Sequence, residues 1–334
     1  MKRRRTKRRK NVIVSLLLFG FLLVLQGCGA QTSEESVSAS NNETTKVIQY
    51  GYIGTNTKNL PANAEGWGFH KGIFQEELKQ YGIDEVVLTG FPNGPDQTES
   101  LISGRLDFGS LGDTPAILAK SVGAETKVIT QSTIKNIGYL IGAKAGPKTI
   151  HDLEGKTVAI QKGSFMHRYI AGLLKQEGVE NVNLIHMLRP DGEAALVRNE
   201  VDAMTNTGVN ALNLLNEGYT YIDDAENHPD LLGTSVTVVT EDFLAEFPEF
   251  PQIWNDIRAK AIEDLKQNEE EYYEFIAELT NSTVELVKEA SPISYIQEEP
   301  ITAEGTLLLE GTKQFLVEEG LATEDFEISE WIYD

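Results

Sequence analysis

The chain has 334 residues, 29 basic and 51 acidic side chains, a formal charge of −22 and a single cysteine. Such an acidic composition argues against nucleic acid and anionic membrane surfaces as partners, since both require a basic face. A lone thiol leaves no internal disulfide and no multi-thiolate metal site.

The chain opens on an address. Lys2 to Lys10 is almost entirely basic, and Val12 to Leu25 is an apolar run. That run is shorter than the ~20 residues a spanning helix needs, so it reads as a secretory signal peptide over 1–27 rather than a membrane anchor. Leu25-Gln26-Gly27-Cys28 closes it and resembles the bacterial lipobox, with Gln26 the less usual residue. The resemblance implies cleavage before Cys28 and lipidation of its sulfur. More than one acyl chain there makes a stable tether. The signal holds eight basic residues and no acid, so the remainder has 21 basic against 51 acidic residues, a formal charge of −30.

Residues 28–334 number 307, more than one hydrophobic core usually serves, so two lobes are expected. Gly29 to Thr45, rich in Ser, Asn, Glu and Thr, reads as a flexible linker behind the lipid. From Lys46 strands and helices alternate. Val47–Ile53 is a strand ending in Gly54-Thr55-Asn56-Thr57. The spacing of Phe69, Ile73, Phe74 and Leu78 predicts a helix over 68–81. Glu85–Leu88 is a strand, 96–103 a helix, Leu106–Gly109 a short buried strand. Asp113-Thr114-Pro115 opens a helix over 116–121, and 126–134 is a β-branched strand. A second cycle follows: strand 155–160, helix 166–176, strand 182–187, helix 190–198, strand 203–205, helix 210–216, strand 219–222 and a β-branched return over 235–240. Alternation of this kind predicts an α/β fold of largely parallel sheets. After Glu241 the chain is mainly helical, and Glu269-Glu270-Glu271 marks a solvated face. The expected division is lobe 1 over 46–136 and 237–334 and lobe 2 over 137–236, with two crossings that permit hinge closure.

Ligands of open α/β sheets sit beyond the carboxyl ends of the strands. Here those ends carry turns that lead into helices: Thr55-Asn56, Asn93-Gly94, Asp113-Thr114 and Lys162-Gly163-Ser164. Helix N-termini attract anions, although Asp113, Thr114 and Ser164 also suit ordinary N-capping. Micromolar binding needs ~8 kcal/mol, more than two or three helix ends at ~0.3–1 kcal/mol each supply. A cleft cation is therefore wanted, with Lys162 and Arg189 as candidates against a solvated-charge reading. His70, His167, Trp67 and Phe91 read as helix-surface or core residues. No metal-ligand cluster, nucleotide-phosphate loop or Ser/His/Asp pattern stands out, so neither cofactor nor catalysis is expected.

Several stretches together resemble the solute-binding proteins for nitrate, taurine and aliphatic sulfonates. They are Gly90-Phe91-Pro92-Asn93-Gly94-Pro95, the run from Leu101 to Asp113, Asp152 to Ala159 followed by Lys162-Gly163-Ser164 and His167, and Val201-Asp202-Ala203. The resemblance covers about 46–240. It implies a two-lobe type II periplasmic binding protein, a lipid-anchored extracytoplasmic monomer that delivers a small anion to an ABC permease and its ATPase. It further implies ligand contacts at Thr55, Asn56, Asp113, Thr114, Gly163 and Ser164. Where sulfonate binders carry a Trp and a Trp-Asp-Pro run, this chain has Met204-Thr205-Asn206-Thr207-Gly208, which adds Asn206 to the candidates, and Arg189 replaces a usual Pro. The same fold serves a sulfinate desulfinase and a pyrimidine synthase, but both depend on cysteine chemistry and this chain offers only Cys28. The alternatives are a neutral heterocycle such as a thiamine-type pyrimidine, or a receptor that reports to a sensor.

Overall fold

The two β-branched runs expected at the lobe crossings lie side by side and organise the molecule. In the computed structural model, which describes residues 46–333, the strands are β1 (Lys46–Ile53), β2 (Ile83–Phe91), β3 (Phe108–Gly112), β4 (Thr126–Asn136), β5 (Gly138–Gly142), β6 (Thr157–Ile160), β7 (Asn183–His186), β8 (Ala203–Thr207), β9 (Thr220–Asp224) and β10 (Gly233–Thr240). The expected signal peptide, the lipidated Cys28 and the linker to residue 45 lie outside the described residues.

The strands form two five-stranded sheets, ordered β2-β1-β3-β10-β4 and β7-β6-β8-β5-β9. In each, four strands run one way and a fifth, β10 or β5, runs against its neighbours. That fifth strand is the first one laid down after the chain crosses into the sheet. The sheets are thus mixed, each with two parallel and two antiparallel pairings.

β4 leaves the first sheet and β10 returns to it, and the two pair antiparallel, Gly233 opposite Asn136 and Ser235 opposite Thr133. The Asn136 side-chain amide donates to Ser235 Oγ at 2.8 Å. Two adjacent, hydrogen-bonded crossings make a two-strand hinge, the arrangement that lets lobes rotate about a few residues. The second crossing falls just before Gly233, ahead of the expected boundary at 236, because Gly233–Val236 already pair within the first sheet. A side chain at Gly233 would meet the Phe165 ring at 2.6 Å, so the crossing passes where only glycine fits.

Helices cover both faces of each sheet, as buried strands of this type require. One face of the first sheet carries an aromatic core in which Tyr50 stacks on Phe108 with centroids 4.7 Å apart, beside Phe74 and Trp254. The other carries Leu101, Ile117, Leu309 and Trp331. The second sheet lies between Leu140, Tyr169 and Leu173 on one side and Ile141, Leu196 and Ala211 on the other. Val209 of the second lobe packs into a cluster with Ala64, Ile262 and Tyr272 of the first, so the lobes meet across their gap.

Two elements differ from the expected ones. The 68–81 helix is two helices, Ala64–His70 and Ile73–Lys79, separated where Gly72 adopts φ 79°. β5 went unrecognised because Gly-Tyr-Leu-Ile-Gly is a short apolar run whose period does not distinguish strand from helix. Its partners β8 and β9 come from 60 or more residues further along the chain.

Candidate functional site

A cavity of about 420 Å³ lies between the sheets, lined from both lobes and by the hinge. The size is within the range of small-molecule sites. Lobe 1 contributes Tyr52, Glu65, Asn93, Ser110, Arg258 and Tyr272; the hinge contributes Lys135, Asn136 and Ser235; lobe 2 contributes Tyr139, Gln161, Ser164, Phe165 and Thr207. A segment from the C-terminal region, Ala290 to Ile296, forms part of the wall. It is held there by backbone pairing of Ile296 with Thr133 and by the Gln297 N–H donating to the Ser132 carbonyl at 3.1 Å.

Of the residues singled out in the sequence, Asn93 and Ser164 line this cavity. Both are helix N-caps. Asn93 Oδ1 accepts from Asp96 N at 2.9 Å, and its amide donates to Asp96 Oδ2 at 3.0 Å. Ser164 Oγ accepts from His167 N at 3.4 Å and donates to the Gln161 carbonyl at 2.6 Å. Capping and facing the cleft are therefore not alternatives here; these two residues do both. Gly163 precedes Ser164 but is off the wall; it has φ 76°, and a side chain there would come within 3.1 Å of Pro95 on the other lobe. The Gly163 N–H donates to His167 Nδ1 at 3.3 Å. Burial, and then the charge of Lys162, hold the His167 pKa below its usual value, which keeps that nitrogen an acceptor.

The remaining candidates lie elsewhere. Thr55 is exposed, and Asn56 folds its own loop, its amide donating to the Leu60 carbonyl at 2.7 Å. Lys162 is exposed and off the cavity wall. Arg189 donates to Glu193 and Asn210, and Asn206 donates to Glu193 at 3.0 Å. Arg189 and Asn206 border a separate dent of about 10 Å³, the volume of about one water.

Asp113 and Thr114 are buried beneath the cleft rather than on it. Asp113 Oδ2 accepts from Thr234 N at 3.0 Å and from Thr312 Oγ1 at 3.3 Å, and Thr114 donates to Oδ1 from both its N–H and its hydroxyl. Arg168 of lobe 2, fully buried, lies 3.8 Å from the same carboxylate. Its guanidinium donates to the carbonyls of Asp230, Leu231 and Leu232, the stretch just before the second crossing. Burial lowers the Arg168 pKa and the Asp113 charge opposes that shift. Asp113 and Thr114 thus serve the hinge, while Gly112 and Pro115 on either side of them line the cavity.

The cleft's cations are Lys135 and Arg258, neither of which the sequence pointed to. Lys135 Nζ is 3.2 Å from Glu226 Oε1 and 4.8 Å from the centre of the Tyr295 ring, and Glu226 and then Tyr295 raise its pKa. Arg258 Nε donates to Glu65 Oε1 at 2.8 Å inside the wall. Tyr139 is pushed up to about 12 by burial and by Asp224, Glu226 and Glu289, so it presents a neutral hydroxyl. Burial and the Glu65 charge raise Tyr272 in the same direction. The wall therefore offers neutral hydroxyl donors, two cations and one carboxylate amid apolar groups, a set suited to a small organic ion.

Residues 70–271 match the protein family described as NMT1/THI5 like. A putative aliphatic sulfonates-binding protein of Bacillus subtilis strain 168 is 27% identical over 290 residues, which is 84% of this chain and 83% of that protein. Its counterpart of the same description in Escherichia coli strain K12 is 33% identical over 129 residues, 37% of this chain and 40% of that protein. Among solved structures, the alkanesulfonate-binding protein SsuA from Xanthomonas axonopodis pv. citri bound to MOPS superimposes with a TM-score of 0.72 at 17% identity, covering 86% of this chain and 98% of its own. The desulfurization enzyme DSZB gives 0.67 at 15% identity, covering 86% and 96%. At these identities the structural likeness speaks to fold, and the fold is shared by binding proteins and an enzyme.

Proposed function

This chain belongs to the NMT1/THI5-like family, and we propose that it is the substrate-binding component of an ABC importer, holding a small organic anion of the sulfonate kind between its lobes. One observation carries the proposal: a cavity of about 420 Å³ is walled by two separate sheets that share a two-strand hinge. Rotation about β4 and β10 would open it for entry and close it around a ligand. The aliphatic sulfonates-binding description of the Bacillus subtilis relative, matched over most of both chains, supports the ligand class. The basic and apolar start of the chain with its lone Cys28 supports a secreted protein held by lipid at the extracytoplasmic face, which in this reading acts as a monomer and passes its ligand to a permease and its ATPase. The reading is a binding role, and the cysteine chemistry of the desulfinase and the pyrimidine synthase has no counterpart here, since the chain's single cysteine is Cys28, at the expected lipid attachment.

A second reading has its own support. Tyr52, Tyr139, Tyr272 and Tyr295 all border the cavity, and ring-lined walls suit a flat heterocycle such as a thiamine-type pyrimidine. Thermal-shift measurements separate the two. A ligand bound only by the native state at 100 times its Kd adds ~2.7 kcal/mol of stability. Alkyl or aryl sulfonates are expected to raise the melting temperature, whereas stabilisation by pyrimidines with none by sulfonates would replace the first reading by the second.

A further inference from the structure

Nine buried side-chain atoms among the described residues have no hydrogen-bond partner in the protein. Only one of them, Glu65 Oε2, belongs to a residue on the wall of the large cavity, and it is the only carboxylate oxygen of the nine. Native proteins pair nearly all such atoms, and an ionised one is the costliest to leave alone.

The surroundings of Glu65 explain why the protein itself does not supply the donor. Glu65 is fully buried, and its other oxygen, Oε1, takes the Arg258 Nε–H at 2.8 Å. The Arg258 Nη2 is turned away to the carbonyls of Gln297 at 2.6 Å and Ser132 at 3.5 Å. Trp67, two residues on, donates its indole N–H to Asp264 at 2.8 Å. Plain alkyl and sulfonate groups bring no donor to Oε2, and a sulfonate brings a like charge. An amino group brings the missing donor and a favourable charge. The cleft's other cation, Lys135, sits on the hinge strand β4, on a different stretch of the wall, so the two ends of a zwitterion would be served by different elements.

We propose that Glu65 is a specificity-determining residue of the cleft, its Oε2 receiving an N–H of the ligand, so that the site takes amino-substituted organic anions in preference to their unsubstituted counterparts. The inference rests on the proposed function, that the cleft holds an organic anion.

Calorimetric titration of the protein with matched pairs tests it: 2-aminoethanesulfonate against ethanesulfonate, and sulfanilate against benzenesulfonate. The amino member of at least one pair is expected to bind on the order of tenfold to a hundredfold more tightly, the factor a hydrogen bond to a charged group supplies. Glu65→Gln keeps an acceptor for Arg258 and puts an amide donor at the Oε2 position, so it should abolish or invert that preference within each pair. Equal affinities within both pairs on the unmodified protein, or a preference that survives in folded Glu65→Gln, would overturn the inference and leave the function standing. Binding of no sulfonate at all would overturn the function itself, and the inference with it. Should Glu65→Gln fail to fold, the matched pairs on the unmodified protein decide alone.

Discussion

Replacing Arg258 by methionine should cost the protein about 3–5 kcal/mol of stability, the usual result of removing one partner from a buried ion pair. Arg258 is 1% exposed and lies on the apolar stripe of the helix Phe250–Gln267, between Trp254 and Ile262. Its removal leaves the fully buried Glu65 without a counter-charge and takes the side-chain donor from the Gln297 carbonyl, while the Ser132 carbonyl keeps the Gln297 N–H. Urea unfolding should show a lower midpoint at an unchanged slope. The double replacement Glu65→Leu with Arg258→Met should recover most of the loss, because exchanging a whole buried pair for apolar groups is often neutral. A single variant that loses less than about 1 kcal/mol would show the pair to be wetter than its burial indicates.

Arg168→Met is expected to act at the hinge, with a loss of about 3 kcal/mol. Three consecutive carbonyls, Asp230 to Leu232, would lose their side-chain donor just before the second crossing. Asp113 would lose the one charged partner it has among the described residues but retain the donors from Thr114, Thr234 and Thr312. The damage should therefore be concentrated in the crossing. Hydrogen exchange is the informative measurement: the amides from Leu231 to Thr234 should lose protection well before those of β1 or β6, as expected when one segment opens at lower free energy than the whole. Uniform acceleration over both sheets would mean that Arg168 supports the global fold rather than the hinge.

The architecture was legible because it rests on local pattern. Alternating short β-branched strands and helical stretches gave the two-lobe α/β arrangement, and the turns at the strand ends marked the right edge of each sheet. Asn93 and Ser164 were visible as polar residues at strand-to-helix turns, and both line the cavity. The rest of the site was harder to read, for a physical reason in each case. Asp113 sits in a turn that looks like its neighbours, yet Thr234, Thr312 and Arg168, all at least 55 residues away in sequence, draw it into the hinge. Lys162 and Arg189 follow strands and so are the cations that position favours, but a long side chain at a strand end can turn to solvent or to a neighbouring carboxylate, as these do.

Glu65 and Arg258 carried a signal that strand-end logic passes over. Each is a charged residue within an otherwise buried helical face. In the helix Phe250–Gln267 the buried set runs Phe250, Pro251, Ile253, Trp254, Ile257, Arg258, Ala261, Ile262, Leu265, and an arginine at such a position demands a partner. That the partner is Glu65, 193 residues earlier, and that the pair borders the cleft, follows only from the packing of two lobe-1 helices against one another.

The most direct measurement is a crystal structure of the protein soaked or grown with whichever sulfonate or pyrimidine gives the largest thermal shift. The ligand is expected between the two sheets, in contact with residues of both lobes and of the hinge, Ser164 and Lys135 among them. A ligand seated on the outside of either lobe, with the space between Tyr139 and Glu65 unaltered, would contradict the account.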